Sequence, residues 1–404
     1  MRTAFGICAA TCLATAGALT AHSPQGSGQQ PIRVGVELIR VDALVRDQQG
    51  RFVPKLTKDD FQLFEDGARQ EIITLTMTVG GRVFNTTPAS APRDDRGVVL
   101  PPSRPPADRS GRVVVIFVDD AHLDARGTPR LRHLLQTISS ELIHDGDLFG
   151  VATTGPSSVT VDLTYDRKRL DQAINRIAGT RLSPKEILDV PEGAQGPPEV
   201  RHRAHVAFRT AWEIVGNLAK VADRRKAFIY VSSGYDLAPF RETRARLDES
   251  RAGRSGDPGS YPDTNPFTQS RNQFSDADLA AELAELTRAA NRANVTFYPI
   301  DPRGLVAGPD IDQDVRPAEW HDYVRKAQDS LRVLADLTGG VPIINSNDFT
   351  GGLKRIDEET SDYYVLGYYS SNTDPARRRR LIEVKSNRPD VKVTHRREYV
   401  RAPR

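Results

Sequence analysis

Polar residues at the ends of apolar runs are where this chain could do chemistry. The apolar run Val113–Val118 ends in Asp119-Asp120-Ala121-His122, and a second run, 226–232, ends in Ser232-Ser233-Gly234 with Asp236 just beyond. Carboxylate and hydroxyl oxygens suit a hard cation such as Mg²⁺, whereas the nitrogen of His122 suits Zn²⁺ or Ni²⁺ better. The same residues have a plainer use, because aspartates at the end of a buried strand also cap the helix that follows. His202 and His205 lie three apart on a helical pattern and could share a face, yet no carboxylate motif accompanies them. Tyr363, Tyr364, Tyr368 and Tyr369 could form a recognition patch, but alternation along a strand would bury about half of such a cluster as ordinary core. The run Arg377–Arg380 could meet an acidic partner or lipid headgroups, and its plainer reading is a solvated connection between strands. There is no Gly-x-Ser-x-Gly elbow, no His-Glu-x-x-His, no phosphate-binding glycine loop and no dinucleotide fingerprint, so nothing in the sequence argues for an enzyme.

The elements that must position these residues follow from periodicity. Continuous apolar runs at 113–118 and 226–232 predict parallel strands buried on both faces. Between and after them the pattern predicts helices over 125–143, 166–177, 200–222, 276–293, 319–338 and about 349–360. Further strands are predicted at 147–153, 295–300 and 341–345, with 158–163 as a short edge hairpin and a polar insertion at 241–275. Strands alternating with helices over 112–360 make a doubly wound α/β domain. Residues 32–45 alternate apolar and polar instead, opening a β-rich segment over 32–84. A strand at 61–67 ends in an Asp66-Gly67 hairpin turn, with 72–78 as its expected partner. After a Pro-rich linker at 85–111, strand-like segments return over 361–404. Each β-rich end is too short to bury a core alone, so the two are expected to pack as one β-sandwich flanking the α/β domain.

Composition narrows the setting. The 404 residues carry 56 Lys+Arg against 53 Asp+Glu, a net charge of +3, which argues against a nucleic-acid partner. Residues 1–21 combine one Arg with a small-residue-rich apolar run, the pattern of a cleaved secretory signal peptide, followed by a Gly/Ser/Gln linker at 22–31. Both cysteines, Cys8 and Cys12, lie in that leader, so the mature chain is expected to have no disulfide and no thiolate chemistry. No later stretch has the length and apolarity of a membrane span. The expected location is periplasmic or extracellular, in a bacterium.

With 113–118 running into Asp119-Asp120, the 112–360 block resembles a von Willebrand factor A (VWFA) domain. Asp147-Leu148-Phe149-Gly150-Val151-Ala152 is similar to that family's second strand, and Tyr230-Val231-Ser232-Ser233-Gly234 to its fourth. Three further stretches resemble the VWFA-related proteins common in Acidobacteria: Leu56-Thr57-Lys58-Asp59-Asp60-Phe61 with Glu65-Asp66-Gly67 and Gln70, then Ile300-Asp301-Pro302-Arg303-Gly304-Leu305, then Tyr363-Tyr364-Val365-Leu366-Gly367-Tyr368-Tyr369. The resemblance implies a Rossmann-like fold and a metal-ion-dependent adhesion site at the C-terminal edge of the sheet. That site is built from Asp-x-Ser-x-Ser after the first strand, a Thr in a later loop and an Asp after the fourth strand. Here Asp119 and Thr180 match, while Ala121 and Leu123 replace both hydroxyls and Ser233 replaces the second aspartate. A degenerate site is therefore expected, with Asp119 and Thr180 as its remaining metal ligands, Mg²⁺ disfavoured and no other cofactor. The implied function is non-catalytic binding or adhesion to a protein partner at the envelope or outside the cell. Asp119, Asp120, His122, Thr180, Ser232, Ser233 and Asp236 would contact the ligand. A metal-free envelope scaffold is the alternative, and a hydrolase with an unrecognised site the third.

Overall fold

Alternation of apolar and polar residues in Leu38–Asp47 makes strand β1, whose Ile39, Val41, Ala43 and Val45 all point into one core. The computed structural model describes residues 38–80, 82–85, 112–189, 197–221, 224–255, 266–308, 315–372, 374, 379–395 and 398–400. The signal peptide at 1–21, the linker at 22–31 and all but the first residue of the Pro-rich stretch 85–111 lie outside them. All described residues belong to one unit, Glu37–Arg404.

After β1 come β2 (Phe61–Glu65), β3 (Ala68–Gln70), β4 (Ile72–Val79) and β5 (Arg82–Asn85). The α/β part follows with β6 (Val113–Val118), α1 (Thr128–Thr137), β7 (Leu148–Thr153), β8 (Thr160–Thr164), α2 (Arg167–Arg176), α3 (Pro184–Asp189) and α4 (Pro198–Leu218). It continues through β9 (Lys226–Val231), α5 (Arg241–Ser255), α6 (Pro266–Ala293), β10 (Val295–Ile300), α7 (Pro317–Thr338) and α8 (Phe349–Ser361). The chain closes with β11 (Tyr363–Tyr369), β12 (Arg379–Ser386), β13 (Val391–His395) and β14 (Glu398–Val400).

The central sheet has the order β10-β9-β6-β7-β8, parallel except for the antiparallel edge strand β8. β6 is buried along its whole length, and its alternate residues serve different faces. Val114, Ile116 and Val118 pack with Leu131 and Leu135 of α1, Leu170 of α2 and Leu353 of α8. Val113, Val115 and Phe117 pack with Phe208 of α4, Leu286 of α6 and Leu331 of α7. Helices thus cover both faces, which is the doubly wound VWFA-like layout that the resemblance implies.

The two chain ends build two further antiparallel sheets, β13-β1-β11-β4-β5 and β14-β12-β2-β3, which share one core. The expected sandwich of N- and C-terminal segments is therefore present. Its pairing differs from the sequence reading in one respect. Across the Asp66-Gly67 turn, where both residues have positive φ, β2 pairs with the short β3 rather than with 72–78. The chain then crosses between sheets, and β4 lies beside β11. Both β2 and β4 have an apolar face for the shared core, and placing them in opposite sheets lets both faces meet there.

Three other expectations need correction. The polar insertion at 241–275 contains helix α5 and the first turns of α6, because its Arg, Glu, Ala and Leu residues favour a helix without needing an apolar stripe. Residues 341–345 form no strand, only a single parallel bridge from Ile343 to Ile300. Pro342 has no N–H to give a neighbour, and Asn345 at φ 53° leaves the extended region. Arg380 is not solvated. It occupies an inward position of β12, is 2% exposed, and pairs with Glu65 at 3.1 Å. Arg379 is exposed and pairs with Glu398, while Arg377 and Arg378 lie outside the described residues. Of the four tyrosines, only Tyr369 is exposed; Tyr363, Tyr364 and Tyr368 are buried.

Candidate functional site

In the sheet order, the chain leaves β6 toward β7 on one side and returns to β9 on the other. The loops after β6 and β9 therefore flank a switch point, the crevice where open α/β sheets hold ligands. Asp119, Asp120 and His122 stand in the first loop, and Ser232, Ser233 and Asp236 in the second. All six are buried, and Asp119, Asp120 and Ser232 are wholly inaccessible.

Asp119 is the centre of the network. Its Oδ1 lies 2.9 Å from His122 Nδ1 and accepts from Thr154 Oγ1 at 2.7 Å. Its Oδ2 accepts from Ser232 Oγ at 2.8 Å and from the hydroxyl of Tyr235 at 2.6 Å. Burial pushes this carboxyl up, but the charge and hydrogen bond of His122, with the bonds from Tyr235 and Thr154, bring it below the ordinary aspartate value. Burial and the Asp119 charge push the Tyr235 and Tyr230 hydroxyls well above theirs, so both remain donors. Tyr235 also stands edge-on to the His122 ring, with centroids 4.8 Å apart.

Asp120 holds loops together. Its Oδ1 accepts from the amides of Thr154 and Gly155 at 3.0 and 2.6 Å, and its Oδ2 from that of Ser157 at 3.0 Å. Its carbonyl accepts from both the amide and the hydroxyl of Thr180, at 2.8 and 3.2 Å. Ser233 Oγ donates to the carbonyl of His122, and Asp236 Oδ1 accepts from the amide of Ala238 at 3.0 Å. Beside them Asp301 is fully buried. It accepts from Arg303 Nη2 at 2.8 Å and from Gln328 Nε2 at 3.2 Å, and Arg303 in turn donates to the carbonyl of Ser233 at 2.7 Å.

These residues do not fit the implied metal. A carboxylate offers about four lone-pair positions, and protein donors surround Asp119 at four. The hydroxyl of Thr180 is spent on a carbonyl, and Ala121 and Leu123 present only carbon. Among the described residues, no group of three or more His, Cys, Asp or Glu side chains could hold an ion. His202 is exposed, and His205 pairs with Glu282 at 2.7 Å instead of meeting it on a shared site. Tyr235, Thr154 and Gln328 belong to the network although no motif announces them. A tyrosine two residues beyond a serine pair, at the end of a buried strand, was the available signal.

Beside His122 lies a small cavity, with a free volume of about 30 Å³, whose wall includes Arg181, Arg203, Gly234, Asp236 and Tyr323. A separate apolar cluster from α3, α5 and α7 packs over this end of the sheet, with Ile187, Phe240, Trp320 and Tyr323 at its middle. The edge is therefore a braced surface rather than an open cup.

No family model matches the chain, and neither does any curated protein. Among solved structures, an aerotolerance-related membrane protein from Bacteroides fragilis NCTC 9343 is similar with a TM-score of 0.32 and 11% identity, covering 62% of this chain and 98% of that one. The vWF domain of the type V pili tip protein Mfa5 from Porphyromonas gingivalis is similar with a TM-score of 0.31 and 12% identity, covering 61% and 93%. Manganese-loaded TRAP protein from Plasmodium vivax is similar with a TM-score of 0.31 and 10% identity, covering 71% and 93%.

Proposed function

We propose that this chain is an exported, non-catalytic protein-binding module that uses the loops at the C-terminal edge of its central sheet without a metal ion. The observation that carries this reading is the Asp119 network at the switch point. Its members come from the loops after β6, β7 and β9, so the edge is fixed in one arrangement before any partner arrives. A preorganised surface loses less conformational freedom on binding. Asp119, Asp120, His122, Thr180, Ser232, Ser233 and Asp236 act here as the frame of the binding face, and exposed residues beside them, such as Arg126 and Leu305, as its contact surface. Export rests on the leader-like residues 1–21. Among the described residues, no helix is long and apolar enough to cross a membrane.

Calorimetric titration of the mature chain with Mg²⁺, Mn²⁺ and Zn²⁺ tests the metal-free part. No saturable heat is expected with any of the three. Partners crosslinked from envelope extract should persist in chelator and be lost with Leu305→Asp. Partner capture that chelator abolishes would overturn the reading, and capture unaffected by the edge substitution would favour a scaffold with its contacts elsewhere.

A further inference from the structure

The cavity beside His122 is built for a negative charge. Of its wall residues among those described, Arg181 and Arg203 are cations, His122 is a base, and Asp236 is the one acid. Arg203 is engaged through Nη1 and Nε: Nη1 donates to the carbonyl of Thr180 at 2.7 Å and that of Ala121 at 3.3 Å, and Nε donates to Glu199 at 2.7 Å. Asp236 already accepts from the amide of Ala238. Arg181 is different. Its side chain is 10% exposed, and its Nη2 reaches Asp124 at 3.3 Å, a carboxylate that is itself 43% exposed. Its Nη1 is buried and has no hydrogen-bond partner among the described residues. A buried guanidinium N–H without an acceptor is destabilising, and an anionic oxygen relieves that better than a neutral one. A volume of about 30 Å³ exceeds the ~10–15 Å³ that one water needs, so the cavity has room for a group larger than one water.

We propose that this cavity is a carboxylate-binding site, with Arg181 Nη1 as the principal donor and Arg203 and His122 supplying the favourable field. The carboxylate comes either from a free small acid or from an acidic side chain of a protein partner. In the second case the site names the chemistry of the partner in the reading above and rests on that reading; in the first it stands alone.

The test uses the mature chain and sodium acetate, with chloride at matched ionic strength as reference, read by calorimetry and by thermal unfolding. Acetate should bind saturably and raise Tm, and Arg181→Gln should weaken that binding at least tenfold. Arg181→Lys should retain part of it, and Arg209→Gln, an exposed control on α4, should retain all of it. Circular dichroism of each variant establishes that it is folded before binding is compared. A peptide with one internal Glu and an amidated C-terminus that binds more tightly than acetate assigns the site to a protein side chain; acetate binding without peptide binding assigns it to a small acid, and holds even if the edge captures no protein. Wild-type protein that responds to acetate no more than to chloride holds only water there, and the proposal fails. It fails equally if folded Arg181→Gln binds acetate as the wild type does.

Discussion

At the residue scale, Asp119 is a charge made tolerable by its neighbours. A buried carboxylate without partners is expensive, and here three hydroxyl donors and His122 offset the loss of water. Asp119→Asn keeps the shape but removes the charge and turns a donor toward groups that are themselves donors. We expect it to lower stability by on the order of 3 kcal/mol, measured by urea unfolding at pH 7. The pH dependence has a definite sign. An unfolded aspartate titrates near 4, and the folded Asp119 titrates lower. The unfolded chain therefore binds the proton first, and stability rises with pH through this range. The contribution of Asp119 is complete above the unfolded value and is lost as pH falls through the folded one. Unfolding free energies between about pH 4 and pH 2 should fall more steeply for wild type than for Asp119→Asn, in proportion to that one group; parallel curves would refute the assignment. Asp119, His122 and Ser232 were legible in the sequence because polar residues ending apolar runs are conspicuous. Tyr235 was not, since its role depends on a loop returning to a strand more than a hundred residues away.

At the scale of elements, the strands and helices of the α/β part were legible because each buries an apolar stripe or run. The misread segments lack a periodicity of their own. β3 and the Ile343 bridge are fixed by their strand neighbours, α5 rests on helix propensity without an apolar stripe, and Arg380 took an inward position that only the register of β12 on β2 reveals. The turn after β9 shows how tightly one loop is set. Gly234 has φ 81°, and a Cβ there would stand 1.9 Å from the carbonyl oxygen of Ala327 on α7. Only glycine satisfies both conditions, so Gly234→Ala should cost more than about 2 kcal/mol and disturb the serines that hold Asp119 and His122. Gly216, exposed within α4 with nothing within 4 Å of its Cβ position, is the contrast. Gly216→Ala should stabilise the protein by about 0.5–1 kcal/mol. Thermal unfolding of the two variants side by side checks both, and equal shifts would show that the close approach to α7 is absent in solution.

At the scale of the whole molecule, the ends of the chain depend on each other. β1 lies between β11 and β13 and has no strand neighbour from its own end of the sequence, apart from one bridge between Arg46 and Phe52. β2 and β4 likewise each take one neighbour, β12 or β11, from the far end. The sandwich is tied to the central sheet by Arg225, which pairs with Asp42 of β1 at 2.8 Å, and whose guanidinium lies 5.0 Å from the centre of the Tyr363 ring. Within the α/β part, Arg112, just before β6, forms a buried bridge to Asp147 at 2.7 Å and a second to the partly buried Asp357 of α8 at 2.6 Å. A chain stopped after Asp362 keeps every strand of the central sheet but removes both partners of β1, leaving a row of unpaired N–H and C=O groups. We expect such a chain to lose the N-terminal strands as well, because it loses Tyr364, Leu366, Tyr368, Ile382 and Val384 from the shared core. Hydrogen exchange reads this directly. Amides of Leu38–Asp47 should exchange as in an unfolded peptide in the truncated chain and slowly in the full one. Amides of Val113–Val118 should stay protected in both, since their partners β7 and β9 are untouched. Slow exchange of Leu38–Asp47 without the C-terminal strands would mean that the N-terminal segment folds by itself, and the sandwich would then be an assembly of two independent parts rather than one sheet pair closed by the two ends of the chain.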